Sequence, residues 1–568
     1  MKYVSLIALF SSLSAGLSLP LFKKRQANSA IASSIFRRRA YQSTAVLDGW
    51  LYIDGGEFSY ASGSDIVYQY SSTLLSIDLS QDFTNATVNI NSNSKPAGVP
   101  DLDSGGIWVD KVNKVLYTGF AGRSSTFGNA AYQDRGLWSF SPDGQGGGSW
   151  KNLNSTAPAG FKTEVRPYSA LVASGDGKGF MLGGFDPANA SVGISGLVIY
   201  DFSSNKLSNN TVTGIANKGV VQMGGAHFVP NFGPQGIMIT FAGDQVGAKQ
   251  AGADSLLSTT TVQIYDPATG VWYEQTTSGN IPEPRKEFCM TGAASNNETY
   301  EIFVYAGWNG NLGPVAIPYD EVYVLSLPSF NWFKADYLAE NPRHGLTCNH
   351  IGGGQILTVG GVNTTQNGPN NLYDDVFNTP DQFTQGLNVF DLSTMAWATS
   401  YSAQKQTYSP AAAIQQYYST NPRHPTYSST GLQQLMSVQN FTSATTGSSS
   451  SSSNSTSPAS PGSSSSGSST NTGAIAGGVV GGVVAVALIA GGAVFFLRRR
   501  RNKEVAGGGD AGSFATHEMP GNSNSQYEMS AAAENTPMAN NIRYAKYAPV
   551  PSEPRHEMPT NETRHELA

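Results

Sequence analysis

Histidine and cysteine are the residue types through which this chain could bind a soft metal ion. Residues 1–441 contain four histidines and two cysteines, namely His227, His344, His350, His424, Cys289 and Cys348. Cys348 and His350 alternate onto one face of a predicted strand, where a thiolate and an imidazole could begin a metal site. No third ligand is evident, so we interpret the pair as packing and predict neither a metal site nor a cofactor.

Carboxylates and nucleophiles show no pattern that indicates catalysis. Before residue 442 the sequence lacks a nucleophile elbow, a phosphate loop and a His-Glu-x-x-His motif. Asp374 and Asp375 are adjacent, so on a strand they would point to opposite faces. The net charge is −6 and charged residues make up 13% of the chain, which does not suit a nucleic acid partner. The sequence therefore predicts neither an enzyme nor a nucleic acid-binding protein.

The elements that would position any binding residue are apolar strands that end in glycine. Six such segments recur, and their final glycines are 54 to 66 residues apart: residues 50–56, 115–122, 179–184, 237–243, 302–307 and 356–361. A repeat of this length holds about four short strands. Because one such sheet cannot bury both of its faces, we expect the six to stack radially.

The second half of the repeat carries a further pattern. A hydrophobic residue followed by Asp recurs at Ile77-Asp78, Tyr200-Asp201, Tyr265-Asp266 and Phe390-Asp391. Trp272 and Trp397 follow Tyr265 and Phe390 after six intervening residues. Together with the glycines, this pattern resembles the Kelch repeat of β-propellers over residues 39–401. The resemblance implies an all-β fold, a six-bladed Kelch-type β-propeller at residues 39–402.

The resemblance also suggests where ligands would bind. Kelch blades commonly carry a polar residue before the innermost strand, which places Arg39, Arg166, Arg285 and Arg343 at the channel mouth. These guanidinium groups could bind an anionic ligand, although pairing with carboxylates between blades is the favoured interpretation.

Long loops should emerge on one face of such a propeller, where binding commonly occurs. They comprise residues 57–72, 123–134, 244–257, 308–319 and 363–385. Their aromatic residues, Tyr60, Tyr132, Trp308, Tyr319 and Tyr373, are candidates for stacking on a ligand. The loop composition suits a carbohydrate or a protein ligand and does not choose between them.

Secreted Kelch propellers include copper-radical oxidases similar to galactose oxidase, whose propeller this one distantly resembles. That chemistry needs two His ligands, a Tyr ligand and a Tyr–Cys crosslink at the axis. The Tyr-His-Ser sequence that this family uses for a ligand is absent here. An oxidase is therefore an alternative, and a purely structural wall-linked protein is another.

Segments outside the propeller predict a membrane protein. Residues 1–18 are typical of a signal peptide, and 19–38 form a pro or linker segment. Residues 403–441 extend the propeller, and 442–472 form a Ser/Thr-rich stalk. Residues 473–497 are a predicted transmembrane helix, followed by four arginines that indicate a cytoplasmic C-terminus. Residues 498–568 form a disordered cytoplasmic tail.

Two further patterns fit an external propeller and a single-pass type I topology. N-glycosylation acceptors occur at Asn85, Asn154, Asn189, Asn209, Asn297, Asn363, Asn440 and Asn454. Cys289 and Cys348 lie in the predicted first strands of blades five and six, in an oxidising compartment. A disulfide between neighbouring blades and two buried free thiols both remain open.

The membrane helix and the tail predict partners of their own. Gly477, Gly478, Gly481 and Gly482 would allow a second helix to approach closely, as in a homodimer. A short motif recurs in the tail and suggests docking of a cytosolic partner: His517-Glu518-Met519, His556-Glu557-Met558 and His565-Glu566-Leu567. The layout resembles fungal single-pass Kelch proteins. We therefore expect a cell-surface sensor, adhesin or wall-associated receptor in the plasma membrane.

Overall fold

The computed structural model describes residues 31–441, with gaps at 128–135, 159, 164–165, 188, 216–218, 246–254, 313–318, 367–372 and 406. Strands dominate this region, and its helices are short. The predicted all-β class is therefore confirmed for these residues. None of the helices described is long and apolar enough to span a membrane. The predicted signal peptide, stalk, transmembrane segment and tail lie outside the described residues.

The strands group into six sheets that follow one another along the chain. β1 (Phe36–Ala40) precedes sheet 1. The strands of this sheet are β2 (Ser43–Leu47), β3 (Trp50–Asp54), β6 (Thr73–Asp78) and β8 (Asn91–Ser94). A hairpin of β4 (Glu57–Ser62) and β5 (Asp65–Tyr70) follows β3, and β7 (Phe83–Thr84) lies before β8. β9 (Leu102–Asp103) precedes sheet 2, formed by β10 (Trp108–Asp110), β11 (Val115–Thr118), β13 (Trp138–Pro142) and β14 (Gly148–Asn152), with β12 (Arg123–Ser124) after β11. The one-turn helix α1 (Gly160–Thr163) precedes sheet 3, formed by β15 (Leu171–Gly175), β16 (Lys178–Leu182), β19 (Leu197–Asp201) and β20 (Lys206–Asn210), with β17 (Phe185–Asp186) and β18 (Asn189–Gly193) after β16.

The second three sheets follow the same plan. Sheet 4 consists of β21 (Gly225–Val229), β22 (Ile237–Phe241), β23 (Thr261–Asp266) and β24 (Val271–Thr276). Sheet 5 consists of β26 (Cys289–Ala294), β27 (Tyr300–Tyr305), β28 (Val322–Leu327) and β29 (Asn331–Lys334), with β25 (Ser278–Gly279) parallel to β29. β30 (Arg343–His344) precedes sheet 6, formed by β31 (Thr347–Gly352), β32 (Gln355–Val359), β34 (Leu387–Asp391) and β35 (Ala396–Ala398), with β33 (Val362–Asn363) and two 3₁₀ helices (Tyr373–Phe377 and Thr384–Gly386) between β32 and β34. β36 (Ser400–Tyr401), α2 (Ala412–Thr420) and α3 (Thr430–Ser437) follow.

The glycines that end the second strands join each sheet to the next. The final glycine donates its backbone N–H to a carbonyl in the short lead-in segment before the next sheet. The donor–acceptor pairs are Gly56–Leu102, Gly122–Pro167, Gly184–Val221, Gly243–Arg285, Gly307–Arg343 and Gly361–Arg39, at 2.6–3.1 Å. The last pair returns to the lead-in of sheet 1, so the sheets form a closed ring. A Cβ on Gly56 would lie 2.6 Å from the Ala40 carbonyl oxygen, which explains why glycine recurs here.

A second set of backbone hydrogen bonds forms a closed ring inside the first. We call its six residues the inner ring. Each donates its N–H to the carbonyl of the next: Tyr41 to Gly345, Gly345 to Glu287, Glu287 to Met223, Met223 to Ser169, Ser169 to Ser104, and Ser104 to Tyr41, at 2.8–2.9 Å. All six have left-handed backbone, with φ between 49° and 70°. The first strands contact one another in the same cyclic order, β2–β10–β15–β21–β26–β31–β2.

Each sheet is formed by one continuous stretch of chain, so the ring closes without a strand exchanged between its two ends. Sheets 1 and 6 are joined by the pairing of β7 with β36. The Tyr401 hydroxyl donates to the carbonyls of Leu79 and Ile351 at 2.8 and 3.0 Å. Apolar side chains of both sheets, including Leu75 and Leu357, form one core cluster between them.

The segment after β36 packs back on the second half of the ring. Ile414 of α2 is buried in the core shared by sheets 5 and 6. Leu432, Leu435 and Met436 of α3 are buried with Phe232 in the core of sheets 4 and 5. The Ser429 hydroxyl caps α3 by accepting from the Leu432 N–H. The segment thus acts as a strap over sheets 4 to 6.

Candidate functional site

Each lead-in segment pairs with the residues just after the second strand of its own sheet. These six pairs lie directly before the inner ring, and we call them the collar: Ala40–Glu57, Asp103–Arg123, Tyr168–Phe185, Gln222–Asp244, Lys286–Trp308 and His344–Val362. Antiparallel pairing places the end of the second strand beside the start of the first. The collar therefore lies on the same face as the long loops.

Neighbouring collar pairs contact each other at several places and form a belt. Lys286 donates to Asp244 at 2.7 Å. The Arg123 guanidinium lies 5.4 Å from the centre of the Tyr168 ring. Ala40 and Val362 share an apolar cluster. The belt thus alternates charged, aromatic and apolar contacts around the axis.

The most chemically varied part of the collar lies in sheets 5 and 6. Trp308 stacks on His344 with 4.4 Å between ring centroids and 13° between the planes. Lys286 Nζ lies 5.4 Å from the Trp308 ring centre. His344 Nδ1 and Thr364 Oγ1 are within hydrogen-bond distance at 3.0 Å. Burial, helped by the Lys286 charge, lowers the pKa of His344 to about 3, so this imidazole is neutral at neutral pH.

Glu287 of the inner ring lies beneath these groups. Burial raises the pKa of its carboxyl to about 7, while Lys286 and Arg123 act in the opposite direction. Its Oε2 is 3.8 Å from His344 Nε2. Because the neutral imidazole carries no charge, this contact is not an ion pair. The carboxyl can gain or lose a proton near neutral pH.

Two carboxyl groups meet in the part of the collar that belongs to sheets 1 and 2. Glu57 Oε1 accepts hydrogen bonds from Ser125 Oγ, Thr126 N and Thr126 Oγ1, each at 2.6 Å. Burial first, and then the Glu57 charge, raise the pKa of Asp103 well above its usual range. Asp103 therefore keeps its proton at neutral pH beside the Glu57 carboxylate. Both carboxyl groups are buried, and the Ser125 and Thr126 donors hold Glu57 in place.

Several buried polar atoms of the collar lack a protein partner. Among the described residues, Gln222 Oε1, Gln222 Nε2 and Asp244 Oδ1 have no hydrogen bond. Glu287 Oε2 and Trp308 Nε1 make none of standard geometry, although the indole lowers the pKa of that carboxyl. Buried polar groups normally bind water or a ligand when protein does not satisfy them. The collar thus has hydrogen-bond donors and acceptors that a polar ligand could satisfy.

Apolar residues of the loops cover part of the mouth. Loops of sheets 1, 2, 5 and 6 contribute to a single cluster with Ala40: Tyr68, Phe127, Leu312, Val362, Val376 and Phe377. Tyr68 and Phe377 both contact Phe127, with ring centroids 5.3 and 5.1 Å from it. These loops therefore pack on one another over part of the collar.

The predicted loop aromatics have different environments. Trp308 lies in the collar, and Tyr60 is partly exposed on β4 beside Phe58. Tyr319 is buried, donates to the Pro284 carbonyl at 3.1 Å and lies under Arg285. Its use as a stacking platform was therefore a wrong prediction. Tyr132 and the side chain of Tyr373 lie outside the described residues.

Three of the four arginines, Arg39, Arg285 and Arg343, do not line the channel mouth that the sequence predicted. Arg39, Arg285 and Arg343 are buried between elements, and the next residue of each lead-in (Ala40, Lys286 and His344) belongs to the collar instead. Arg166 is half-buried and stands one residue before the equivalent position, which Pro167 occupies. The error has a simple cause, since adjacent residues of an extended segment point in opposite directions.

The histidines and cysteines occupy separate places. Cys289 and Cys348 form a disulfide between the first strands of sheets 5 and 6, with 5.5 Å between Cα atoms. His227 Nε2 is 2.7 Å from the Tyr300 hydroxyl, and His424 contacts Tyr427. His350 accepts a hydrogen bond from the Gly354 N–H. Within the described residues no group of three His, Cys, Asp or Glu is arranged to hold a metal ion.

The glycosylation acceptors are not equally accessible. Asn209 and Asn440 are exposed, whereas Asn85, Asn154, Asn297 and Asn363 are half-buried. The amide nitrogens of Asn85, Asn363 and Asn440 donate to Asn388, Thr379 and Gly233. A glycan at Asn85, Asn363 or Asn440 would replace those bonds. Asn454 and the side chain of Asn189 lie outside the described residues.

Comparison with known sequences supports the resemblance to the Kelch repeat. A Kelch repeat-containing protein of Arthroderma benhamiae is 24% identical over 411 residues. The chain is similar to a Kelch-repeat protein. The aligned region covers 64% of this chain and 57% of that relative. No protein-family model matches the sequence.

The collar was not visible in the sequence as a site, because its members are unrelated residue types. The notable signal is positional, since each collar residue stands three to five residues before the first strand or just after the final glycine of the second. Of the predicted site residues, Trp308 is the one the structure places in the collar.

Proposed function

We propose that this chain is a cell-surface binding protein, a six-bladed Kelch-type propeller that binds its ligand on the collar face. The observation that supports this most strongly is the set of buried polar atoms around Gln222 and Asp244 that have no partner among the described residues. Sugar hydroxyls both donate and accept hydrogen bonds, as these groups require. We therefore favour a carbohydrate ligand. If no glycan binds, the result would instead indicate a protein ligand.

A glycan array tests this proposal with the full-length chain purified in detergent. The Gln222→Met variant should retain the fold, because the amide makes no hydrogen bond with the part of the chain that the structure describes and methionine has a similar size. It should lose binding to the glycan class that the parent binds. Gln81→Met, at an exposed position, should bind like the parent. Equal binding by all three proteins would contradict the collar as the site.

Metal analysis of the same sample addresses the alternative of a copper-radical oxidase. The proposal of a binding protein without enzyme activity expects no stoichiometric copper and no radical signal. Copper near one equivalent would overturn it and direct attention to His344, His350 and nearby tyrosines.

The membrane topology is a separate part of the proposal, supported by the sequence of residues 473–501. Protease added to intact cells should remove the propeller and leave the C-terminal tail protected. A tail that is digested on intact cells would contradict a type I orientation. Crosslinking of the same membranes tests the proposed homodimer through Gly477, Gly478, Gly481 and Gly482.

The His-Glu-Met motifs of the tail are proposed to dock a cytosolic partner. Replacing His517, His556 and His565 together with alanine should change trafficking or partner capture and leave ectodomain binding intact. Unchanged localisation and an unchanged set of captured proteins would argue against docking.

A further inference from the structure

Three arginines occupy equivalent positions in the ring, and their surroundings differ. The carbonyls of Arg285, Arg343 and Arg39 each accept the hydrogen bond from the final glycine of the preceding sheet. The repeat therefore places their side chains in equivalent directions between neighbouring elements. Their exposed fractions are 0%, 1% and 8%.

Two of these arginines have a carboxylate partner. Arg343 donates to Asp381 through both terminal nitrogens, at 3.0 and 3.3 Å, and to the Gly360 carbonyl at 3.1 Å. Arg285 lies 3.7 Å from Glu321 and donates to the Ala306 carbonyl at 3.0 Å. A buried guanidinium needs such partners, because an unpaired buried charge is strongly unfavourable.

Arg39 has no carboxylate partner among the described residues. Its guanidinium lies 5.1 Å from the Phe58 ring centre, and its terminal nitrogen Nη1 is buried without a hydrogen bond. Burial alone lowers the pKa of Arg39 to about 10, with no contribution from an acid. The thirty residues that precede Ile31 contain no Asp or Glu, so that segment cannot supply a carboxylate.

A small pocket lies where the missing acid would be. Glu321 directly precedes the third strand of sheet 5, and the equivalent residue of sheet 1 is Ser72, directly before β6. Ser72, Arg39 and Gln385 line a pocket between sheets 1 and 6 with a volume of about 30 Å³. The rest of its wall is largely apolar and includes Ile53, Leu75, Val359 and Leu387. This volume holds roughly two water-sized groups, since one water needs about 10–15 Å³.

We propose that this pocket is a binding site for a small monocarboxylate, whose carboxylate group pairs with Arg39. The anion takes the place that Asp381 and Glu321 have beside the equivalent arginines, and its short apolar end faces the aliphatic wall. The guanidinium fork suits the two oxygens of a carboxylate better than a spherical anion. The site is distinct from the collar and does not depend on it.

Acetate is the probe, and the thermal unfolding midpoint of the full-length chain in detergent is the measurement. At constant ionic strength and neutral pH, acetate should raise the midpoint in a saturable way. Chloride and the neutral analogue acetamide should not. An equal response to chloride and acetate, or no saturable response to acetate, would overturn the proposal.

Two variants locate the effect. Gln385→Glu provides an internal carboxylate of the same shape in the pocket, so acetate should bind at least about tenfold more weakly, as loss of a charged hydrogen bond implies. Gln81→Glu adds the same charge at an exposed position and should respond to acetate like the parent. Arg39→Leu, which copies the leucine that stands at the equivalent position before sheet 2 (Leu102), should also lose the response. If Arg39→Leu does not fold, an undiminished acetate response in Gln385→Glu still refutes the site.

Discussion

Sheets 1–3 and sheets 4–6 share one strand plan but differ in what joins them. In the second half, Cys289 and Cys348 link two sheets covalently, and the strap of α2 and α3 covers three. Sheets 1–3 have neither device: the chain contains two cysteines only, and the strap residues described are buried against sheets 4–6. Equivalent repeats can therefore be stabilised unequally, and local opening should begin in sheets 1–3.

Removing the disulfide should have the largest effect on this difference. The Cys289→Ala/Cys348→Ala variant loses a link between residues 59 positions apart. The entropy that this link removes from the unfolded chain corresponds to about 4 kcal/mol of stability. Denaturant unfolding should show the loss, and hydrogen exchange should locate it in sheets 5 and 6. Reductant should lower the free energy of unfolding of the parent to that of the variant. Exchange that stays slowest in sheets 5 and 6 would contradict the role of the link.

Truncating the strap should have the next largest effect. Leu432 is fully buried against sheets 4 and 5, so Leu432→Ala should cost about 3 kcal/mol through lost burial and the cavity left behind. Faster hydrogen exchange should appear in sheets 4 and 5 but not in sheets 1–3. Gln433→Ala, on the exposed face of the same helix, should stay within about 0.5 kcal/mol of the parent. A similar loss in both variants would contradict the strap.

The halves differ in a way that the sequence foretold only in part. The recurring strand–glycine segments indicated the repeat, because a close backbone approach restricts the residue type locally to glycine. The inner ring was invisible, since Tyr41, Met223 and Glu287 adopt left-handed backbone without any shared chemistry. The stack of Trp308 on His344 joins loops of two repeats, and no local pattern reports such a contact. Arg39 could not be told from Arg343, because the difference lies in partners distant in the chain.

A new disulfide in the first half would sharpen the comparison. Cys289 stands two residues after inner-ring Glu287 and Cys348 three after Gly345, so the equivalent positions in sheets 2 and 3 are Gly106 and Val172. A Cβ on Gly106 would lie 3.2 Å from the Val172 Cβ, near the roughly 3.5–4.5 Å that disulfides require. Gly106→Cys/Val172→Cys should therefore gain about 2 kcal/mol when oxidised, less than the entropic limit because the backbone must adjust.

Its control is the same protein under reductant, where the gain should vanish. Hydrogen exchange should slow in sheets 2 and 3 and leave sheets 4–6 unchanged. A gain that survives reduction would come from packing and would not support the equivalence of the two positions.

Acidification should have the smallest effect, and it acts on the second half. His227, His344 and His350 all lie in sheets 4–6, and burial lowers their pKa values to about 3, 3 and 4. The unfolded chain protonates them near pH 6.5 while the folded chain does not, so their contribution to stability is lost as the pH falls below 6.5.

Glu287 and Glu301 act in the opposite direction, because burial raises both pKa values to about 7, and folding takes up protons there between about pH 4.5 and 7. Three histidines against two glutamates leave a net proton uptake on unfolding that rises from about zero at pH 6.5 to about one at pH 5.5, so about 0.7 kcal/mol of stability is lost over that unit. The His350→Gln variant should cancel this slope in denaturant unfolding, and Glu301→Gln should steepen it. A slope that neither variant changes would show that these buried groups do not set the pH response of sheets 4–6.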